Sequence, residues 1–275
     1  METNLDNYRK DGYLILKNFF RADQIQSILL DAQKIFYRQF LKKKYTTLPF
    51  DSLDAVNFNE CLFRLFSEDL TCLMNCGKQA QHLISLHRLS LDEKIVGLLN
   101  GLGLSSPNIS TRPVLYFNHP LLAQKKVFHK VDAHQDWRSM QGSLNSAVIW
   151  IPLMDVNKEL GALEIIPGSH LWGLRTNNLD SGFGMVQLTE KETGEFISVE
   201  LSQGDILAFS SFLIHQSGEN TTASPRWSTH FRYNDLDEQT FIDRAFAHPY
   251  IYKPAEELIT PGFPKQDQVK KIFHQ

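Results

Sequence analysis

Two imidazoles and one carboxylate form a donor set that holds ferrous iron on one face and leaves the opposite coordination positions open for O2 chemistry. His134, Asp136 and His215 offer that set from two separate segments. In the run His134-Gln135-Asp136 the first and third side chains fall on the same side of an extended chain, so one short segment supplies two ligands. The triplet alone says little, because ten histidines and thirty-one acidic residues yield about one His-x-acid triplet by chance in a chain of this length. Its weight comes from His215 downstream and from Arg226 eleven residues after that. A turn centred near Thr221-Thr222 would bring Ser217 opposite Arg226, and a hydroxyl beside a guanidinium suits a terminal carboxylate held by paired hydrogen bonds. The competing readings are a hydrogen-bonded structural His215 and a strand-end Arg226 paired with a surface acid.

The elements that must position these groups change character along the chain. Residues 1–103 read as a helix-rich support: Ile25, Ile28, Leu29, Ala32 and Phe36 lie on one stripe at helical spacing, which is core. Similar periodicity recurs around Asn59–Leu65, Glu68–Ile84 and Leu91–Leu99. From Val114 onward, short apolar runs are separated by Gly, Pro, Asn and Ser. Ala147–Leu153, Ala162–Ile166, Glu195–Leu201, Asp205–Phe209 and Trp227–Tyr233 read as strands of an antiparallel meander. The expected fold is mainly β with flanking helices, a jelly-roll core over about 110–250 with an N-terminal helical layer, in one domain spanning 1–275. Residues 255–275 read as a surface tail with a short terminal helix.

Several runs jointly resemble the phytanoyl-CoA dioxygenase family of Fe(II)/2-oxoglutarate oxygenases, in which a His-x-Asp, a distal His and an Arg eleven residues later recur in that order. They are Gly204-Asp205-Ile206-Leu207-Ala208-Phe209, Ile214-His215-Gln216-Ser217-Gly218-Glu219-Asn220 and Ser224-Pro225-Arg226-Trp227-Ser228-Thr229-His230-Phe231-Arg232-Tyr233. Trp150-Ile151-Pro152-Leu153 and Gly161–His170 also look like that family, and Tyr8–Phe20 resembles its opening strand. The resemblance implies a double-stranded β-helix (jelly roll) with Fe(II) held by His134, Asp136 and His215. It further implies 2-oxoglutarate and O2 in the open positions, with Arg226 and Ser217 on the C5 carboxylate and with Gln135 and Trp150 near the cosubstrate. On a regular strand Gln135 would face away from the iron, so its role needs a kink; for Trp150, plain core packing is the alternative. Relatives that transfer halide replace the carboxylate, so Asp136 implies hydroxylation of a C–H bond with succinate and CO2 as coproducts.

Composition narrows the partners. A net charge of -3 and a pI near 6.4 offer no global attraction to nucleic acid or an anionic membrane. Lys42-Lys43-Lys44 reads as a solvated helix end. Cys61, Cys72 and Cys76 are too few and too clustered for a disulfide framework, and Cys72 with Cys76 read as two small apolar groups on one helix face. The start, Met1–Asp6, has neither a basic leader nor an apolar segment, and no apolar run approaches the roughly 18 residues of a membrane helix, so a cytoplasmic location is expected. The partner is expected to be a small molecule, with no reading of oligomeric state.

Other residues are assigned as follows. His170 follows the Pro167-Gly168-Ser169 turn and braces it. His119 and His129 lie in the irregular segment before His134 and read as exposed loop residues, His129 also as a substrate contact. Arg138, with His129 and Lys126, leans toward a polar or anionic metabolite, and Arg175 and Arg232 are candidates for the same task. Two other classes stay open: a cupin-like metal enzyme without 2-oxoglutarate, which would not need the Ser217 and Arg226 pair, and a non-catalytic binding protein on the same scaffold.

Overall fold

In a computed structural model, residues 2–123, 131–178, 185–247, 258 and 261–273 are described. Among them the strands are β1 (Tyr13–Leu16), β2 (Pro107–Ile109), β3 (Val114–Asn118), β4 (Ala147–Pro152), β5 (Leu163–Ile165), β6 (Asn177–Asn178), β7 (Met185–Val186), β8 (Ile197–Val199), β9 (Ile206–Ser210), β10 (His215–Ser217) and β11 (Arg226–Asp235). The major sheet runs β1-β9-β4-β11-β2, with β3 also on β11, and the minor sheet runs β10-β5-β8; all these pairings are antiparallel. Among the described residues six α-helices precede β2: α1 (Glu2–Asp11), α2 (Ala22–Lys42), α3 (Ala55–Glu68), α4 (Leu70–Ala80), α5 (Ile84–Ser90) and α6 (Glu93–Gly101). Helices flanking two antiparallel sheets give the expected jelly-roll class.

The major sheet is a middle layer, and strand alternation divides its two faces. Outward-facing Leu115, Phe117, Ile149, Ile151, Ala208, Trp227, Phe231 and Tyr233 join the helices in one large apolar cluster. The predicted stripe on α2 is buried there in full, and Phe36 meets Phe117 and Trp227 edge-on with ring centroids 5.5 and 5.7 Å apart. Inward-facing Val148, Trp150, Leu207 and Phe209 pack against Leu163, Ile165, Val199 and Leu201 from the minor sheet. Burying aromatic and branched side chains on both faces is the dominant stabilising contribution, at roughly 1.5–3 kcal/mol per large side chain.

Three expectations are corrected. Only Tyr13–Leu16 of the expected opening strand is extended, because Tyr8–Asp11 complete α1. Gly12, at φ 80°, then breaks the helix while its N–H returns to the Tyr8 carbonyl, a left-handed stop that favours glycine. The helix expected over Glu68–Ile84 ends at Ala80, and α5 begins at Ile84, a short element with too few turns to show a period. In the tail, the helix Gln266–Phe273 is packed: Val269 and Phe273 are buried, and Phe273 stands edge-on to His170. Residues 255–257, 259–260 and 274–275 lie outside the described residues. No helix among the described residues is long and apolar enough to cross a membrane.

Candidate metal centre and carboxylate cradle

His134 and His215 meet because their backbones pair. Each donates its N–H to the other's carbonyl, at 3.0 and 3.2 Å, forming an isolated antiparallel bridge that adds the His134 segment to the edge of β10. Directly opposed residues in such a bridge point to the same face, and the two imidazole centroids lie 4.1 Å apart. Each ring is oriented from behind: His134 Nδ1 lies 2.7 Å from the Asp132 carbonyl and His215 Nδ1 lies 2.9 Å from the Leu213 carbonyl. A carbonyl only accepts, so both Nδ1 atoms carry the proton and both Nε2 lone pairs face the cluster. That is the tautomer a metal ligand needs, set by its outer-shell partner.

Asp136 completes the cluster, though not from a strand as expected. It has helical φ and ψ (-63° and -29°) at the start of a short helix, Trp137–Met140, whose first N–H is fixed to the Ser211 carbonyl at 2.9 Å. The chain turns into the site immediately after the bridge, and the turn still places the carboxylate beside both rings. His134 Nε2 is 3.6 Å from Oδ1 and His215 Nε2 is 4.0 Å from Oδ2. One ligand atom from each of His134, Asp136 and His215 lies within 4.8 Å of the others, close enough for one metal ion.

Burial and charge tune these groups in opposite ways. Burial alone would raise the Asp136 carboxyl, but the Arg232 guanidinium, with Nη2 2.7 Å from Oδ1, holds it well below the usual carboxylate range. Burial, reinforced by His134 and opposed by Asp136, pushes His215 down to about 3. The Asp136 carboxylate is therefore ionised and the His215 ring neutral at neutral pH. Arg232, read from the sequence as a substrate contact, instead forms a buried ion pair with Asp136. In metal-free protein Arg232→Met is expected to lower the free energy of unfolding by about 3 kcal/mol, because removing one partner strands a buried charge. Urea transitions measure this, and a loss below about 1 kcal/mol would show the pair to be dispensable.

Arg226 lies on the inward face of β11 and is 1% exposed. Its Nη1 donates to the Gly161 carbonyl and its Nη2 to Ser217 Oγ at 3.4 Å, while Nε has no partner among the described residues. The expected hairpin ladder is absent: β10 pairs with β5 and β11 with β2, β3 and β4, so Ser217 and Arg226 meet across the gap between sheets. Gly161 and Gly218 permit that approach, since a Cβ at Gly218 would fall 2.4 Å from the Ala162 carbonyl oxygen. Burial pulls the guanidinium down to about 10, and among the described residues no carboxylate is within ion-pair distance of it. Two neighbours on the same inner face, Asn118 Oδ1 and Ser228 Oγ, are also buried without partners among the described residues. Sequence reasoning missed both, although the alternation starting at Arg226 marks Ser228.

The remaining assignments divide. Gln135 is at the expected kink, but its amide is committed to the backbone: Nε2 donates to the Gly173 and Phe212 carbonyls at 2.8 and 2.7 Å, and Oε1 accepts from the Arg175 N–H at 2.9 Å. It is a strut that holds the segment. Trp150 belongs to the inner apolar cluster, across β4 and β11 from His230. Arg138 is buried and donates to the Arg175 carbonyl at 2.7 Å, and Arg175 is paired with Glu192 at 3.0 Å. His119 is buried against Phe63, not exposed in a loop, and His170 braces its turn against the Arg9 carbonyl at 2.9 Å. His129 and Lys126 lie outside the described residues.

A jelly roll that brings two oriented histidines and one carboxylate together between its sheets defines the class of non-haem iron oxygenases. The chain belongs to the phytanoyl-CoA dioxygenase family: the family described as Phytanoyl-CoA dioxygenase (PhyH) matches residues 8–228. It is 25% identical to the phytanoyl-CoA dioxygenase domain-containing protein 1 homolog of Dictyostelium discoideum, over 85% of this chain and 92% of that one. It is 27% identical to the phytanoyl-CoA dioxygenase of Arabidopsis thaliana, over 81% of this chain and 84% of the relative. Among solved structures it is similar to the epimerase SnoN in complex with Fe3+, alpha ketoglutarate and nogalamycin RO (TM-score 0.56, 18% identity, 94% of this chain and 96% of that one). It is also similar to EctD from S. alaskensis with 2-oxoglutarate and 5-hydroxyectoine (TM-score 0.53, 16% identity, 86% and 77% covered). At these identities the structural likeness shows the fold.

Proposed function

We propose that the chain is an Fe(II)- and 2-oxoglutarate-dependent dioxygenase that hydroxylates a C–H bond of a small molecule, releasing succinate and CO2. The observation that carries this reading is Arg226, a fully buried guanidinium with Ser217 beside it and no carboxylate partner among the described residues. A buried charge without a counter-ion is costly, so the site fits an anion supplied from outside. From His215 to Ser217 is two residues of strand, about 6.8 Å, which suits a five-carbon diacid chelating a metal at one end and meeting Arg226 at the other. The solved structures of SnoN and EctD are described with the same cosubstrate.

In this reading His134 Nε2, His215 Nε2 and one oxygen of Asp136 hold Fe(II). The bound metal and 2-oxo acid together supply the oxidising power for C–H hydroxylation when O2 is present. The chain's own residues bind and orient. Arg226 and Ser217 take the far carboxylate, and Asn118 and Ser228 offer further hydrogen bonds on the same wall. Arg232 keeps Asp136 ionised, and the Asp132 and Leu213 carbonyls fix the two rings. The inner cluster around Trp150, Leu207 and Phe209 excludes water from one side. A cupin-like enzyme without a 2-oxo acid would leave Arg226 unexplained, and a non-catalytic scaffold would leave the whole donor set so.

Anaerobic addition of Fe(II) and 2-oxoglutarate is expected to give a weak visible charge-transfer band, and subsequent exposure to O2 to give succinate. Absence of both would overturn the reading.

A further inference from the structure

The inward row of β11 continues past Arg226 and Ser228 to His230 and Arg232. Its two ends have clear tasks: Arg226 reaches Gly161 and Ser217, and Arg232 reaches Asp136. His230 stands between them, next to the metal end. It is opposite Val114 on β3 and Trp150 on β4, so its ring lies over the inner face of the sheet. Some accessible surface remains on the residue, yet Nε2 is sealed from solvent and has no hydrogen-bond partner among the described residues. Buried imidazole nitrogens are ordinarily satisfied, and one left open beside a metal cluster points to a ligand atom.

We propose that His230 is a cosubstrate-binding residue whose Nε2–H donates to the metal-chelating carboxylate of the bound 2-oxo acid. The assignment rests on the function proposed above and adds a contact to it. Arg226 anchors the far end of the diacid, and His230 fixes the near end, so the chelate is oriented at both ends. The charge state suits the role. Burial, together with the neighbouring Arg232, His134 and His215 and against the opposing Asp136, keeps the ring neutral, so it donates without adding charge to a crowded site.

The test compares wild type with His230→Phe, which keeps a flat ring without nitrogens, and His230→Gln, which keeps an amide donor. Each is loaded anaerobically with Fe(II) and titrated with 2-oxoglutarate, reading the charge-transfer band; Fe(II) affinity is measured separately without the 2-oxo acid. His230→Phe is expected to weaken 2-oxoglutarate binding about 10- to 100-fold, the loss of one hydrogen bond to a charged group, and to shift the band. His230→Gln is expected to recover most of the affinity, and Fe(II) affinity is expected to be unchanged in both. Wild-type-like 2-oxoglutarate binding and band in His230→Phe would overturn the assignment and leave the iron and 2-oxo acid reading intact. A parallel loss of Fe(II) affinity would overturn it in favour of a structural role. No band in the wild type would sink the underlying reading and this assignment together.

Discussion

His215→Ala will lower Fe(II) affinity by more than about 100-fold and abolish 2-oxo acid-dependent turnover. The lower bound comes from outer-shell partners, whose loss alone costs about 10- to 100-fold in metal affinity; removing a ligand costs more. The fold should survive. His215 is joined to His134 through backbone atoms, and the substitution leaves both of those hydrogen bonds and the β10 pairing with β5 in place. Anaerobic titration with Fe(II), or with Co(II) read by its visible absorption, measures the loss, and circular dichroism checks the fold. Retained metal binding in a folded variant would remove His215 from the ligand set.

Arg226→Met will separate stability from binding. Affinity for 2-oxoglutarate is expected to fall by about 30-fold or more, because truncating one partner of a buried, hydrogen-bonded charge pair costs about 2–5 kcal/mol. Fe(II) binding should be unaffected, since the guanidinium contacts Gly161 and Ser217 and none of the three donors. The ligand-free protein should become more stable. Burial displaces the guanidinium from 12.5 to about 10, a penalty of roughly 3 kcal/mol on its charged form in the empty site. Methionine fills similar space without that penalty. Urea unfolding with and without 2-oxoglutarate reads both effects: at the same ligand concentration the variant gains less stability than the wild type. A variant that loses Fe(II) and 2-oxoglutarate binding equally would refute the carboxylate cradle.

The difference between what could be read from residues and what required three dimensions follows from the kind of information each carries. Short apolar runs mark β4, β9 and β11 as strands and the stripe on α2 marks its buried side, and those elements lie where the sequence places them. The gathering of His134, Asp136 and His215 was legible because it rests on residue type and order. Partners were not. Arg232 pairs with Asp136 across 96 residues of sequence, and nothing in either neighbourhood announces the other. Gln135 seemed adjacent to the chemistry by number, but the turn that sends Asp136 into the site sends Gln135 into the backbone of Gly173, Phe212 and Arg175. The Ser217 and Arg226 contact was foreseen for the wrong reason, a hairpin ladder, when the two strands belong to different sheets.

Strand β11 places Trp227, Phe231 and Tyr233 in the helical core and Arg226, Ser228, His230 and Arg232 in the site, one residue apart throughout. The chain is therefore a poor host for length variation here. Deleting or inserting a single residue between Ser217 and Arg226 that shifted β11 along its neighbours would push two arginines and a histidine toward the apolar helices and turn the aromatic residues toward the metal. Point substitutions on either face can be accommodated singly, but an indel reaching this strand would cost folding and chemistry at once. Changes in substrate range across such chains must then be carried by segments outside β11, where length can drift without inverting the sheet.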